Sequence, residues 1–155
     1  MSRARDDDLL LSEQACFALY AASRAVTDLY RPMLAELDLT YPQYLVLLVL
    51  WEQDGLPVKQ IGERLQLDYG TVSPLLKRLE VRGLLRRERS AGDERSVTVE
   101  LTEDGTRMRE RVKRIPGRIG SALGMDTRER RELVETLWQL TASVQASVAE
   151  TRTRE

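Results

Sequence analysis

The most reactive side chain in this 155-residue sequence is the thiol of Cys16, its single cysteine, and no histidine is present. Without histidine, neither a Ser-His nor a Cys-His nucleophile pair can form, and no cluster of metal ligands at the usual spacing is visible. One cysteine cannot close an intramolecular disulfide, and no glycine-rich phosphate loop is evident. We therefore expect a protein that is not an enzyme and has no cofactor and no metal site. Oxidation of the Cys16 thiolate is the chemistry that remains.

Cys16 lies on a predicted apolar helix face, where a lone cysteine is most often a small buried hydrophobic residue. The residues alone leave three interpretations open. Cys16 is structural, it is a redox sensor, or it is the nucleophile of a thiol peroxidase. The absence of both a resolving cysteine and a histidine argues against the peroxidase.

Basic side chains form the second group with evident chemistry. Although the formal net charge is −1, residues 71–89 contain six basic residues against two acidic ones, whereas residues 1–52 contain four against eight. A local positive field attracts a polyanion even when the whole chain is acidic. A charged run by itself is also typical of a solvated surface. Whether these basic residues bind a polyanion therefore depends on the elements that carry them.

Residues 57–101 have the pattern of a winged helix-turn-helix. Apolar residues at helical spacing predict two helices with a turn near residues 67–70. The inner faces are formed by Val58, Ile61 and Leu65, and then by Val72, Leu75, Leu76 and Leu79 before Gly83. Residues 84–89 and 97–101 are predicted strands of a basic hairpin, joined by residues 90–95. Such a unit offers one helix to a DNA major groove and its hairpin to the flanking backbone or minor groove.

The outward residues of the second helix and of the hairpin are the candidate DNA contacts. Short polar residues at a helix start approach base edges, and basic residues one turn later reach phosphates or guanine edges. An arginine at the hairpin tip suits a minor groove, with an aspartate holding it in place. The set is Tyr69, Gly70, Thr71, Ser73, Lys77, Arg78, Arg87, Asp93 and Arg95. Either Asp68 or Thr71 can cap the second helix, and Pro74 costs less in the second case.

Helices are predicted on both sides of this unit. Residues 9–37 are predicted to form one long helix that Pro32 bends or ends. Residues 103–150 are predicted to be helical, with a kink or break at Pro116-Gly117 and a cap at Asp126-Thr127 for the last helix. That helix carries a stripe at near-heptad spacing, formed by Leu133, Leu137, Leu140, Val144 and Val148.

We therefore expect one domain over residues 1–155, mainly α-helical with a small β-hairpin wing. Residues 40–101 form its winged helix-turn-helix DNA-binding region, which begins at a predicted capping box of Thr40 and Gln43. The helices of residues 9–37 and 103–150 carry more apolar surface than a small wing domain needs. We predict that they are mainly dimerisation helices around a two-fold axis, which suits two half-sites of DNA, although they can also complete a monomeric core.

Several motifs together resemble the MarR family of transcriptional regulators over nearly the whole chain. They are residues 58–65, residues 67–80, and Asp93-Glu94-Arg95-Ser96 followed by Leu101-Thr102. Two more specific motifs are Cys16-Phe17-Ala18-Leu19-Tyr20-Ala21-Ala22-Ser23-Arg24 and Leu39-Thr40-Tyr41-Pro42-Gln43-Tyr44. These resemble the organic-hydroperoxide-sensing branch, the OhrR repressors. Tyr69 departs from the small residue expected there, so the operator contacts at this position differ.

The resemblance implies a homodimeric repressor that binds a pseudo-palindromic operator until an organic hydroperoxide oxidises Cys16. It also implies that Tyr30 and Tyr41 of the opposite subunit hydrogen-bond to this redox-sensing thiol. Because the chain has no second cysteine, it resembles the one-cysteine type. A low-molecular-weight thiol is then expected to cap the oxidised sulfur, unless further oxidation occurs.

The expected function is a cytoplasmic repressor in an oxidative stress response, with double-stranded DNA as its partner and no membrane association. The longest apolar run, residues 44–51, is too short to span a bilayer, and no signal-peptide core is visible. The main alternative is a regulator of the same family that a small aromatic or phenolic ligand releases from DNA, with Cys16 structural. A winged-helix protein-interaction module is a further alternative.

Overall fold

The structure is a computed structural model that describes residues 9–90 and 92–153, apart from the side chains of residues 90 and 93–95. The chain divides between Ile115 and Pro116 into two compact units. The elements are α1 (Ala15–Ala35), α2 (Tyr41–Glu52), β1 (Leu56–Pro57), α3 (Val58–Leu65), α4 (Tyr69–Val81), β2 (Leu85–Ser90), β3 (Asp93–Leu101), α5 (Glu103–Val112), α6 (Ile115–Ala122) and α7 (Thr127–Thr153). The predicted fold class, mainly α-helical with a small antiparallel wing, is confirmed.

The N-terminal helix begins later than the sequence predicts. Instead of one helix over residues 9–37, the chain forms a 3-10 turn at Leu11–Glu13 and an extended Gln14 before α1 begins. The leucines at positions 9–11 are exposed, so no packing favours extending the helix, and packing supplies most of the stability of protein helices. Pro32 lies inside α1 without ending it.

Helix α2 is the buried centre of the first unit, as its nearly uniform apolar sequence predicts. The predicted capping box is present: Thr40 Oγ1 accepts the Gln43 N–H at 3.4 Å, and Gln43 Oε1 accepts the Thr40 N–H at 2.9 Å. Val46 and Leu47 are fully buried. Because α2 packs against α1, α3 and α4, it joins the helix that carries Cys16 to the helix-turn-helix.

Helices α3 and α4 form the helix-turn-helix. They pack closely at Gly62, where an added Cβ would lie 2.8 Å from the carbonyl oxygen of Leu67. The turn passes through Gln66 in the left-handed region, with φ 54°. The inner face of α4 consists of Val72, Leu76 and Leu79, which are fully buried, and of Leu75, which is only half-buried.

The wing is a three-stranded antiparallel sheet in the order β1-β3-β2. The sequence predicts β3 from Val97, whereas it begins at Asp93 and pairs there with Ser90, after a register shift next to Arg89. The predicted connection of residues 90–95 is therefore too long. Residues 93–95 have no apolar alternation to mark a strand, but main-chain pairing in a hairpin does not require it. Strand β1 was not predicted because it has only two residues, one of which is proline.

The base of the wing is fixed to its neighbouring helices around Gly105. Its N–H donates to Thr102 Oγ1 at 3.1 Å, capping α5, and its carbonyl oxygen accepts Trp51 Nε1–H at 3.0 Å. The Thr102 hydroxyl donates to the Gly83 carbonyl oxygen at 2.5 Å. A Cβ on Gly105 would lie 1.9 Å from the carbonyl oxygen of Leu84, so only glycine permits this approach.

A break occurs near the predicted position but earlier, because α5 ends at Val112 and α6 begins at Ile115. Pro116 and Gly117, where the break was predicted, lie in the first turn of α6. In the second unit, Asp126 Oδ1 accepts the N–H groups of Arg128 and Glu129 and so caps α7, as predicted.

Helix α7 continues to Thr153, past the expected end at residue 150. Its heptad-spaced residues are exposed: Leu133, Leu137, Leu140, Val144 and Val148. Among the described residues, no helix has the length and apolar character needed to cross a membrane.

Candidate functional site

Helix α4 begins at Tyr69 because Asp68 is its cap. Asp68 Oδ1 accepts the Thr71 N–H at 2.9 Å, and Oδ2 accepts the Thr71 hydroxyl at 3.1 Å. These hydrogen bonds to Thr71 lower the pKa of the Asp68 carboxyl, so the cap is ionised at neutral pH. The alternative cap at Thr71 is therefore wrong. Pro74 lies inside α4, beyond its first turn, and deprives the exposed Gly70 carbonyl of a helical partner.

The outward face of α4 presents the side chains that the sequence predicts there. Tyr69 is 70% exposed at the first helical position. Gly70, Thr71, Lys77 and Arg78 are also exposed, whereas Ser73 is half-buried. Neither Lys77 nor Arg78 forms an ion pair with any residue that the structure describes. Both cations are therefore available to an external anion.

Arg87, a candidate DNA contact, is held inside the wing domain by Glu80. Its N–H and its Nε–H donate to the two Glu80 carboxylate oxygens at 3.0 and 2.9 Å. The hydrogen bond from Arg87 lowers the pKa of the Glu80 carboxyl and keeps the pair charged. This pair ties the last turn of α4 to β2, a tertiary role that the sequence pattern did not reveal.

The other wing cations divide into paired and unpaired groups. Arg86 lies 2.6 Å from Glu100 on the adjacent strand. The Arg89 side chain is exposed and, within the described part of the chain, has no ion-pair or hydrogen-bond partner. Arg89 is one of the basic residues of this region but was not among the predicted DNA contacts. Asp93 and Arg95 belong to β3, and their side chains lie outside the described residues.

The thiol of Cys16 is free and exposed at the second position of α1. Gln14 is the N-cap residue of α1, and its side chain accepts no hydrogen bond from the N–H groups of the first turn. Unpaired N–H groups at a helix start stabilise a nearby anion. The adjacent Phe17 and Leu19 are exposed as well, so the thiol lies on an apolar surface.

Tyr30 and Tyr41 are brought together, with ring centroids 4.6 Å apart. Tyr44, which was not among the predicted sensor residues, completes the cluster: its ring centroid lies 5.8 Å from that of Tyr30, and the residue is 2% exposed. Burial, followed by the neighbouring Tyr41 and Tyr44, raises the pKa of Tyr30 to about 12. Burial also raises the pKa values of Tyr41 and Tyr44. The three phenols therefore remain protonated hydrogen-bond donors at neutral pH.

Within one chain the thiol and the tyrosine pair are far apart. Cys16 and Tyr30 lie fourteen positions from one another on the same helix, which corresponds to about 21 Å along its axis. Four helical turns separate them on similar faces of α1. A single chain therefore cannot place its own phenols on its own thiol, and a site with all three residues needs a second copy.

The turn between α1 and α2 is linked to the C-terminal end of α4 by Arg82. Its guanidinium donates to the Leu37 carbonyl oxygen at 3.0 Å and to the Asp38 carbonyl oxygen. Its Nε lies 3.2 Å from Asp38 Oδ2. Beside this link, a cleft of about 720 Å³ opens between the turn and α4, lined by Leu39, Pro74 and Lys77 among others.

The chain matches the model of one protein family, described as transcriptional regulator SarA/Rot, over residues 28–112. It is 48% identical to the organic hydroperoxide resistance transcriptional regulator of Bacillus subtilis over 134 residues, covering 86% of this chain and 91% of the relative. It is also 48% identical to the HTH-type transcriptional regulator TtmR of Methylorubrum extorquens, covering 95% of this chain and 75% of TtmR.

Among solved structures, reduced AbfR bound to DNA has a TM-score of 0.80 and 33% identity, covering 94% of this chain and 99% of AbfR. AbfR of Staphylococcus epidermidis has also been solved in overoxidised and disulfide forms.

Proposed function

Because this chain belongs to the SarA/Rot and MarR type of winged-helix transcriptional regulators, we propose that it is a homodimeric repressor that leaves its operator when an organic hydroperoxide oxidises Cys16. This family is a family of DNA-binding regulators and not of enzymes. The observation that carries the proposal is the arrangement of one exposed thiol and a distant pair of protonated phenols, which only two chains can combine.

DNA binding is assigned to α4 and the wing. The unpaired cations Lys77 and Arg78 and the N-terminal residues of α4 face outward together, as a recognition helix requires. Arg89 adds a wing cation that no described side chain pairs with, and Asp93 and Arg95 are proposed at the tip of the wing. Arg87 acts through its Glu80 pair, which orients the wing on α4.

Dimerisation is assigned to the exposed apolar faces of α1 and α7. Leu137 and Leu140 are exposed within the single chain, and so are Phe17 and Leu19 around the thiol. Several large apolar residues exposed on one helix are typical of an association site. The same association brings Cys16 of one chain to Tyr30 and Tyr41 of the partner subunit.

The chemistry balances without a cofactor. The Cys16 thiolate attacks the terminal peroxide oxygen of the organic hydroperoxide, the O–O bond breaks, and the departing alkoxide takes up a proton to become an alcohol. Sulfur is oxidised by two electrons to sulfenic acid while the peroxide is reduced. A low-molecular-weight thiol then condenses with the sulfenic acid, giving a mixed disulfide and water.

Oxidation replaces an anion that accepts phenolic hydrogen bonds with a larger neutral group. The tyrosines lose their acceptor, and the adduct needs space at the dimer interface. The spacing of the two recognition helices then changes, which disfavours DNA because its helical turn fixes the spacing of half-sites.

The test compares operator affinity before and after one equivalent of cumene hydroperoxide in wild type and Cys16→Ser. We expect wild type to lose affinity and Cys16→Ser to keep it, with sulfenate trapping only in wild type. A Cys16→Ser protein that still leaves DNA on peroxide treatment excludes the mechanism. Release by a small aromatic ligand that is unaffected by Cys16→Ser would support the alternative instead.

A further inference from the structure

The connection between the two tyrosine-bearing helices is a short, internally bonded turn. Leu39 N–H donates to the Leu34 carbonyl oxygen at 2.9 Å, and Asp38 N–H donates to the Ala35 carbonyl oxygen at 3.0 Å. Asp38 adopts the left-handed conformation, with φ 54°. Tyr41 follows three residues later, at the first position of α2. A change in the packing of Tyr30 against Tyr41 therefore acts directly on this turn.

Arg82 connects that turn to the recognition helix. It is the C-cap residue of α4, and its side chain is 25% exposed. Its guanidinium donates to the carbonyl oxygens of Leu37 and Asp38 and also pairs with the Asp38 carboxylate. One side chain thus binds three acceptors of a turn that lies more than forty residues earlier in the sequence.

The Arg82 contact lies at the edge of a cleft between the turn and α4. The cleft of about 720 Å³ separates the turn from the exposed face of α4, and Val81, on the α4 side, is 80% exposed. Arg82 lines this cleft together with Asp38. The cleft thus lies between the turn and this face of α4, and the Arg82 guanidinium bridges the two with directional bonds.

We propose that Arg82 is a positioning residue that transmits the state of the tyrosine cluster to α4. The inference rests on the proposed function, because it concerns how oxidation at Cys16 changes DNA affinity. In the reduced protein, Arg82 holds α4 to the turn in the orientation that fits DNA. When the tyrosines lose their thiolate acceptor, the turn moves, and α4 moves with it because Arg82 couples the two.

The test measures the peroxide response, defined as the ratio of operator dissociation constants for oxidised and reduced protein. Arg82→Gln removes the guanidinium. Asp38→Asn removes the ion pair but keeps both carbonyl acceptors, and asparagine tolerates the φ of 54° at this position. Arg64→Gln is the matched control, since Arg64 makes a similar surface link to Gln53 and Glu52 away from the turn. Sulfenate labelling verifies that Cys16 is oxidised equally in all proteins.

We expect Arg82→Gln to reduce the peroxide response about tenfold relative to wild type, within the range of allosteric coupling between sites. Asp38→Asn should reduce it about two- to threefold. Arg64→Gln should leave it unchanged. A residue with a merely structural role would weaken DNA binding of the oxidised and reduced forms by the same factor and leave their ratio alone.

Amide hydrogen exchange gives an independent measurement. After oxidation, exchange in residues 36–40 should accelerate in wild type and in Arg82→Gln, whereas exchange in residues 78–84 should respond only in wild type. An Arg82→Gln protein with the full wild-type ratio overturns the coupling role but leaves the proposed function intact. If Arg82→Gln does not fold, an unchanged ratio in Asp38→Asn overturns it. A wild type that ignores peroxide overturns both.

Discussion

At the scale of single residues, the phenols and the thiol of the candidate sensor differ in how firmly the surrounding structure fixes them. Tyr30 and Tyr41 are fixed by ring contact with each other and with the buried Tyr44. Cys16 stands exposed at the start of α1. The phenols are thus organised in advance, and in the proposed dimer another chain supplies the thiol to them. The resemblance gave two of these tyrosines, whereas the third follows only from packing.

Removing one phenolic donor should slow oxidation of the thiol. Tyr41→Phe keeps the ring contact but loses the hydroxyl that we propose stabilises the thiolate of Cys16. We expect the rate of sulfenate formation to fall about tenfold, because a hydrogen bond to a charged group contributes ~1.5–3 kcal/mol. The measurement is stopped-flow oxidation with cumene hydroperoxide. Tyr44→Phe is the control, since this buried residue cannot reach a second chain, and equal rates for all three proteins would contradict the role.

The tyrosine cluster also predicts alkaline behaviour. The pKa of Tyr30 is raised from 10.0 to about 12 in the folded chain, so the unfolded chain ionises first as pH increases. The stability that this shift contributes is complete below pH 10 and is lost as pH rises towards about 12. Melting temperatures measured between pH 9 and pH 11.5 should fall more steeply for wild type than for Tyr30→Phe. Parallel curves would show that Tyr30 titrates alike in both states.

At the scale of elements, local signals in the sequence were sufficient for some helix starts and insufficient for tertiary pairing. The Thr40–Gln43 box and the Asp126 cap act within four residues, and both were predicted from their side chains. The cap of α4 remained open between Asp68 and Thr71 until the structure assigned it to Asp68. The pairing of Arg87 with Glu80 and of Arg82 with Asp38 depends on how distant segments meet. Both arginines were therefore counted as basic without a structural partner. Strand β1 and the start of β3 likewise depend on a neighbour in the sheet.

The junction of wing and helices at Gly105 should not tolerate a side chain. Gly105→Ala places a methyl group 1.9 Å from the Leu84 carbonyl oxygen, so the backbone must move. We expect a loss of about 1–3 kcal/mol in the free energy of unfolding, as for other overpacked sites. Urea denaturation measures it. Gly117→Ala is the control, because nothing lies within 4 Å of its added Cβ, and an equal effect of both changes would refute the steric argument.

At the scale of the whole molecule, two kinds of surface are prominent. Among the described residues, the exposed cations Lys77 and Arg78 on α4 and Arg89 on the wing make no ion pair, and apolar residues on α1 and α7 are exposed. The net charge of −1 conceals the cationic surface, because acidic residues elsewhere in the chain offset it. The first surface suits DNA, and the second suits another copy of the chain.

Placing a charge in the α7 stripe should prevent association. Leu137→Glu buries a carboxylate in the proposed interface, and we expect the dimer to weaken by at least about thirtyfold, the effect of losing a central interface residue. Sedimentation equilibrium measures the association, and operator binding should weaken in parallel. Gln139→Glu adds the same charge two residues away as a control. Leu137→Glu protein that remains as dimeric as the control would exclude this face.

The separation of about 21 Å between Cys16 and Tyr30 along one helix has a consequence for the cell. A solitary chain would carry a thiol without its donors and donors without their thiol. Responsiveness to oxidant would then appear only above the protein concentration at which pairs form. The abundance of the regulator itself, and not the dose of oxidant alone, would set the threshold of the response.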